Sequence, residues 1–220
     1  MNKKNEKKSE KSAEASDIET AKTSSAMAKE ADDDGSPAAR AEKAEKKDAV
    51  ELLKDDHRRV EALFQQFQDA DNPAEKRRIV DRVAYELIVH SLIEERLFYP
   101  ACRGKIENAQ LDEAQVEHDG VKLLLIDLRD ASPGDSYFDA KVTVLSEYVK
   151  HHVAEEEKRG DGIMDAARKA GVDLEALGKE IAARKPEIAE RAGRDFVPDT
   201  PSLATKKGVF GKEKNMPLLR

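Results

Sequence analysis

The chain has 220 residues, of which 39% are hydrophobic, 39% are charged and 5% are aromatic. This hydrophobic content is enough for one domain with a core, and the abundance of Ala, Leu, Glu, Lys and Arg favours helices over sheets. The net charge of −7 argues against a surface that binds nucleic acid. No apolar run approaches the 18 residues of a membrane span, so no membrane partner is expected.

The chain contains a single cysteine, Cys102, which excludes an intrachain disulfide and is typical of a reducing cytoplasm. The basic N-terminal stretch MNKKNEKKSEK is not followed by the apolar region of a secretory signal. We therefore predict a cytoplasmic protein. We assign Cys102 no chemical role, because a lone helical cysteine is usually a small buried hydrophobe.

Both ends of the chain differ in composition from its middle. Residues 1–47 contain almost no Leu, Val, Ile or Phe, so we predict a disordered, charged N-terminal tail. Residues 193–220 contain three prolines and no sustained period, which predicts a flexible C-terminal tail. The folded domain is expected at 48–192.

Helical periodicity predicts four long helices, at 48–70, 74–103, 108–131 and 136–158, and two shorter ones, at 163–170 and 173–192. The turns between the long helices are short, so consecutive helices should be antiparallel. The predicted fold is all-α, an antiparallel up-down-up-down four-helix bundle with an appended C-terminal helical pair.

Each long helix has an apolar stripe at the spacing of an inward-facing bundle seam, and one histidine interrupts every stripe. The second and fourth stripes also contain a glutamate, four residues after the histidine. The six seam residues are His57, His90, Glu94, His118, His152 and Glu156.

The stretch HHVAEEE at 151–157 offers two His/Glu pairs at i, i+4 spacing. His152 and Glu156 continue the apolar seam of the fourth helix. His151 and Glu155 lie about 100° around the helix and are placed on its flank. His57 and His118 are 61 residues apart, and the two His-x-x-x-Glu units are 62 apart, so the chain reads as two similar helical hairpins.

Two glutamates in an apolar seam are costly to bury unless each is paired or bound to a cation. Imidazole and carboxylate donors without a thiolate suit iron or manganese, and zinc also fits. Four His and two Glu exceed one tetrahedral site, which favours two ions bridged by the carboxylates. A single buried His or a single surface His/Glu pair would be unremarkable alone; their combination favours metal binding.

Other polar residues near the seams have more ordinary interpretations. We expect the adjacent acids Glu95, Glu155 and Glu157 to be solvated. Three tyrosines could donate to the site, although the default interpretation places them at the edge of the core: Tyr85, Tyr99 and Tyr148. Three acids beside the seam histidines could orient imidazoles, and helix-surface charge explains them at least as well: Asp56, Glu117 and Asp119.

Four segments together resemble the hemerythrin-like family, specifically its HHE cation-binding branch: DDHRRVEALF (55–64), HSLIEERLFYPA (90–101), VEHDGVKLLL (116–125) and EYVKHHVAEEE (147–157). The resemblance implies that the six seam residues are ligands of a non-haem di-iron centre. Oxygen-carrying relatives have a further His one turn after the third-helix ligand, where this chain has Lys122. That departure argues against reversible oxygen carriage and leaves room for water or a small ligand.

Three functions are consistent with these residues. The first is a di-iron protein that senses or handles oxygen, nitric oxide, peroxide or iron itself. The second is an oxidoreductase that turns over peroxide or nitric oxide at the same centre with an external electron donor. The third is a non-metallated helical protein that binds a protein partner through its charged tails.

Overall fold

The computed structural model describes residues 47–194, so the two predicted tails lie almost entirely outside the described residues. The helices, in chain order, are α1 (Ala49–Asp69), α2 (Pro73–Ile93), a π-helical segment (Glu94–Phe98), α3 (Tyr99–Cys102), α4 (Asn108–Asp130), α5 (Phe138–Glu156), α6 (Ile163–Lys169) and α7 (Leu174–Arg194). Within these residues the chain is all-helical, and the predicted helix ends are right to within two residues. None of the described helices is long and apolar enough to cross a membrane.

Local signals account for where the first two helices begin. The side chain of Asp48 accepts a hydrogen bond from the Glu51 amide, and the Glu51 carboxylate accepts one from the Asp48 amide, each at 2.9 Å. This capping box satisfies amides that the first turn leaves without helical partners. The side chain of Asn72 caps α2 by accepting a hydrogen bond from the Glu75 amide, and Pro73 follows at a position where its missing N–H costs nothing.

The four long helices bury their apolar stripes against one another. Helix α1 packs on α2 and α5, and α4 packs on α5 and α2. Large side chains such as Leu53, Phe98 and Phe138 are at most 1% exposed. Each contributes about 1.5–3 kcal/mol by leaving water. Cys102 is also fully buried, and burial raises the pKa of its thiol to about 11, so it stays protonated at neutral pH.

Helix α7 packs against α1 and α2 through buried Leu177, Ile181 and Ile188. Gly178 lies where this helix meets the start of α1, and a Cβ there would be only 2.5 Å from the carbonyl oxygen of Lys47. Glycine is therefore required for this close approach.

The π-helical segment is a feature that the sequence does not predict. The Tyr99 amide donates to the Glu94 carbonyl five residues earlier, so the segment contains one residue more per turn than an α-helix. In an α-helix, residues five apart lie about 140° from the same face. The wider turn brings Glu94 and Tyr99 to the same side.

Candidate metal centre

All six seam residues are buried in one place, each with at most 5% of its surface exposed. Their side chains come from α1, α2, α4 and α5, and Glu94 is the first residue of the π-helical segment. The flanking pair behaves as the periodicity predicts: the side chains of His151 and Glu155 are 66% and 48% exposed.

The imidazoles form two pairs. The Nε2 atoms of His57 and His90 are 3.1 Å apart, and those of His118 and His152 are 3.2 Å apart. Two donors bound to one metal at about 2.1 Å, and 90–110° apart, lie about 3.0–3.4 Å from each other. Each imidazole pair therefore has the spacing of two ligands on one ion.

Glu94 and Glu156, the central carboxylates, lie between the two imidazole pairs. Oε2 of Glu94 is 3.0 Å from Nε2 of His90 and 3.2 Å from Nε2 of His118. Oε2 of Glu156 is 3.5 Å from Nε2 of His57 and 3.6 Å from Nε2 of His152. Each carboxylate thus touches one imidazole of each pair, which is the arrangement that a bridging ligand needs.

Three further glutamates, here called the outer carboxylates, contact the Nδ1 atoms of three imidazoles, on the side of each ring away from the centre. The Nδ1–H groups of His57, His118 and His152 donate to Glu157 at 2.8 Å, Glu95 at 3.0 Å and Glu117 at 2.7 Å, respectively. A carboxylate accepts but does not donate, so each Nδ1 must carry the proton. In the neutral imidazole this leaves the Nε2 lone pair directed at the centre, as in metal-binding histidines.

The expectation that Glu95 and Glu157 are solvated is wrong, since their side chains are only 16% and 15% exposed. Each lies beside an imidazole edge, and each also pairs with a cation. Lys122 Nζ is 2.6 Å from Glu95, and Arg58 Nη2 is 2.6 Å from Glu157. Glu117 orients His152, as one of its two interpretations holds, whereas Glu155 is exposed as predicted.

His90 has a different outer partner. Its Nδ1 lies 3.8 Å from Oδ2 of Asp56, which is 2% exposed. Asp56 in turn accepts hydrogen bonds from Lys185 of α7 at 2.5 and 2.6 Å and from Arg59 at 2.8 Å. Asp119, the third acid considered beside the histidines, is fully buried and lies 3.8 Å from Lys122.

Of the three tyrosines considered from the sequence, Tyr99 is the one that enters the centre. Its hydroxyl donates to Oε1 of Glu156 at 2.9 Å and lies 3.4 Å from Oε2 of Glu94. Burial and then the charge of Glu156 raise the pKa of this phenol well above its usual value. Tyr148 is 52% exposed, and the ring of Tyr85 packs under Arg82.

When no metal ion is bound, protonated imidazoles balance the negative charge of the carboxylates in this cluster. Burial alone lowers the pKa of His90, but the negative charges of Glu94 and Asp56 outweigh it and raise the pKa to about 10. Burial also lowers the pKa of His118, but its hydrogen bonds to Glu94 and Glu95 outweigh this effect and raise the pKa to about 9. Burial raises the pKa of Glu94, yet the charge of His90 holds it well below its usual range.

The donor set fits a metal on grounds of hydrogen bonding as well as spacing. Oε1 of Glu94 and Oε2 of Glu156 are buried oxygens without a hydrogen-bond partner. A buried carboxylate oxygen left in this state is costly, and a cation would satisfy it. A cavity of about 20 Å³ adjoins the four imidazoles and is otherwise lined largely by Val60, Leu87, Val121, Val149 and Val153.

Comparison with known proteins agrees with this geometry. The model of the hemerythrin HHE cation binding domain family matches residues 48–159. The chain is similar in fold to the crystal structure of a hemerythrin HHE cation binding domain-containing protein from Mycobacterium kansasii. The TM-score is 0.59 and the identity 24%, over 71% of this chain and 96% of that one.

A curated relative from Nostoc sp., named a DNA nickase, is 26% identical over 145 residues. The alignment covers 65% of this chain but 40% of the relative. The chain therefore spans less than half the length of that protein.

Proposed function

Because this chain belongs to the hemerythrin HHE cation-binding domain family, we propose that it is a non-haem di-iron protein whose ligands are the six seam residues. One iron would be held by His57 and His90, the other by His118 and His152. Glu94 and Glu156 would bridge the two ions, and the Tyr99 hydroxyl lies within reach of both bridges.

The observation that carries this proposal is the position of the central carboxylates. Each approaches one imidazole from each pair, at 3.0–3.6 Å, so neither glutamate belongs to one pair alone. Two separate single-ion sites would not need this sharing. A carboxylate shared by two imidazole pairs is explained most simply by two ions that it bridges.

We propose that the four long helices form an antiparallel up-down-up-down bundle and that residues 48–192 act as one metal-binding domain. The packing of α1 on α2 and α5, and of α4 on α2 and α5, closes a ring of four helices. Lys185 connects α7 to the centre through Asp56, which supports counting this helix in the domain.

The ligands of this centre would be small. The cavity beside the imidazoles holds about 20 Å³, close to the space of one water molecule, and its other walls are mostly aliphatic. These dimensions favour oxygen, nitric oxide or peroxide over an organic substrate. Bound iron would supply an open coordination position and a change of oxidation state. We propose that the protein senses or handles such a molecule, or iron itself, in the cytoplasm.

Turnover of peroxide or nitric oxide at the same centre is a second candidate, favoured by the buried phenol of Tyr99 against the bridging carboxylates. We propose no DNA-directed activity, because a net charge of −7 repels a polyanion. One assay distinguishes catalysis from sensing. An enzyme would consume peroxide repeatedly when a reductant is added, whereas a sensor would react once per centre.

Metal analysis of the purified protein tests the proposal. We expect about two irons per chain, a loss of both in Glu94→Ala, and a loss of one in His118→Ala, because only the bridging residue serves both ions. Glu147→Gln, at an exposed position of α5 outside the centre, is the control and should keep two. A purified protein that takes up no iron, or a Glu94→Ala variant that keeps both ions, would support the non-metallated interaction protein or separate sites instead.

A further inference from the structure

Beyond the central cluster, a second group of metal-type donors lies at the surface. Glu117 of α4 and His151 and Glu155 of α5, here called the peripheral cluster, each offer a donor atom within 4.8 Å of the others. Nε2 of His151 is 3.6 Å from Oε1 of Glu117 and 3.4 Å from Oε1 of Glu155. His151 and Glu155 reach this arrangement because they are one helical turn apart.

The peripheral cluster adjoins the di-iron centre through a shared residue. Glu117 turns Oε1 towards His151 and uses Oε2 to accept the hydrogen bond from Nδ1 of His152, at 2.7 Å. A cation on the surface cluster would therefore be separated from the buried centre by one carboxylate and one imidazole.

An open cavity of about 130 Å³ adjoins both places. Glu117 and Glu155 of the peripheral cluster line it, and so do His152 and Glu156 of the buried centre. Its volume would admit a cation with a few water molecules, at about 30 Å³ each. Among its lining residues, Glu156 is 1% exposed and its Oε2 lacks a hydrogen-bond partner.

The charge of this cavity suits a cation. Glu113 and Asp161 add two carboxylates to those of Glu117 and Glu155, and the one ammonium among its lining residues, Lys158, pairs with Asp161 at 2.8 Å. A cleft lined by one sign of charge raises the local concentration of the opposite ion and its rate of entry.

We propose that Glu117, His151 and Glu155 form a separate, weaker binding site for a divalent cation such as Fe²⁺, at the mouth of the path by which the buried centre is filled. The histidine selects a first-row transition metal over Mg²⁺ or Ca²⁺, since those ions prefer all-oxygen sites. Three protein donors leave the ion partly hydrated and free to move inward. The delivery role rests on the proposed function, but binding at the peripheral cluster does not.

Titration of the metal-free full-length chain with Co²⁺, followed by its ligand-field absorption, tests both parts. The wild type should bind two ions tightly and a third more weakly. The variant His151→Ala/Glu155→Gln should lose the third ion only and fill the buried centre about 10-fold more slowly, as the gain expected from a charged entrance implies. Glu147→Gln is the control, because it removes the same charge from an exposed position of α5 outside the cluster and should behave as wild type.

The outcomes separate the claims. If the wild type binds no third ion, or the double variant keeps it, the peripheral site is wrong. A third ion that is lost in the variant with no change in filling rate supports the site and rules out delivery. If neither protein fills the buried centre, the proposed function fails. In that case, one weakly bound Co²⁺ that is present in the wild type and absent in the double variant would still show that the peripheral cluster binds a cation.

Discussion

Three of the four imidazoles in the centre are fixed by a carboxylate on their outer side, and two of those carboxylates in turn pair with a cation, buried Lys122 in one case and exposed Arg58 in the other. Glu95 accepts from Nδ1 of His118 and pairs with Lys122, while Glu157 accepts from Nδ1 of His57 and pairs with Arg58. Such partners orient the ring and raise its basicity towards a metal. Lys122 therefore supports the centre from the position where an oxygen carrier would place another ligand.

Replacing Glu95 with Gln should weaken binding of the ion at His118 and His152 by about 10–100-fold, because the amide is a poorer acceptor for the ring N–H. Glu157→Gln should do the same for the ion at His57 and His90. Competition with a chelator of known affinity measures each loss. Glu95→Gln also leaves the buried ammonium of Lys122, which is 4% exposed, without its carboxylate partner. The double variant Glu95→Gln/Lys122→Met removes that unpaired charge and therefore controls for general destabilisation. Unchanged affinity in both single variants would remove the supporting role.

At this scale the sequence predicts which residues are buried better than it predicts their partners. Heptad spacing identifies His152 and Glu156 as inward and His151 as outward, because position around a helix follows directly from residue number. The partners of Glu95, Glu117 and Glu157 lie on other helices, 23 to 100 residues away. Periodicity along one helix contains no information about such pairs.

Two elements position the centre in ways that their local sequence does not reveal. The π-helical segment at Glu94–Phe98 places Tyr99 one wide turn after Glu94, so both side chains face Glu156. No residue preference distinguishes this turn from an α-helix, which is why helix boundaries could be predicted and the π turn could not. Helix α7 belongs to the predicted appended pair, and its Lys185 reaches the buried Asp56 beside His90.

Replacing Lys185 with Met should lower the free energy of unfolding by about 1–3 kcal/mol, because Asp56 stays buried and loses a cation that donates to both of its oxygens. Amide exchange in α7 should also accelerate, since the ion pair joins that helix to α1. Lys179→Met, at an exposed position of the same helix, is the matched control. Chemical denaturation and hydrogen exchange give the two readouts; equal stability of the two variants would show that the contact contributes nothing.

For the molecule as a whole, protons and metal compete for the same central cluster. In the metal-free protein the folded-state pKa values of His90 and His118 are raised to about 10 and 9. The stability they contribute is complete below the unfolded value near 6.5 and is lost as pH rises through the folded values. A metal ion replaces those protons, so its binding should tighten over the same interval.

Between pH 6 and pH 9 the metal-free protein should therefore lose on the order of 1–3 kcal/mol of unfolding free energy, while the metal-loaded protein should not. Urea denaturation at both pH values, with and without bound metal, measures the four free energies. His151→Ala should show the same pH dependence as wild type. A metal-free protein that becomes more stable as pH rises would have the wrong sign for this account.

The central claim is that six buried donors share two ions. Anomalous diffraction at the iron absorption edge, from crystals of the iron-loaded protein, locates those ions directly. Two peaks should lie between the imidazole pairs, one beside His57 and His90 and one beside His118 and His152, with Glu94 and Glu156 in contact with both. A single peak, or two peaks with no glutamate in common, would contradict the account.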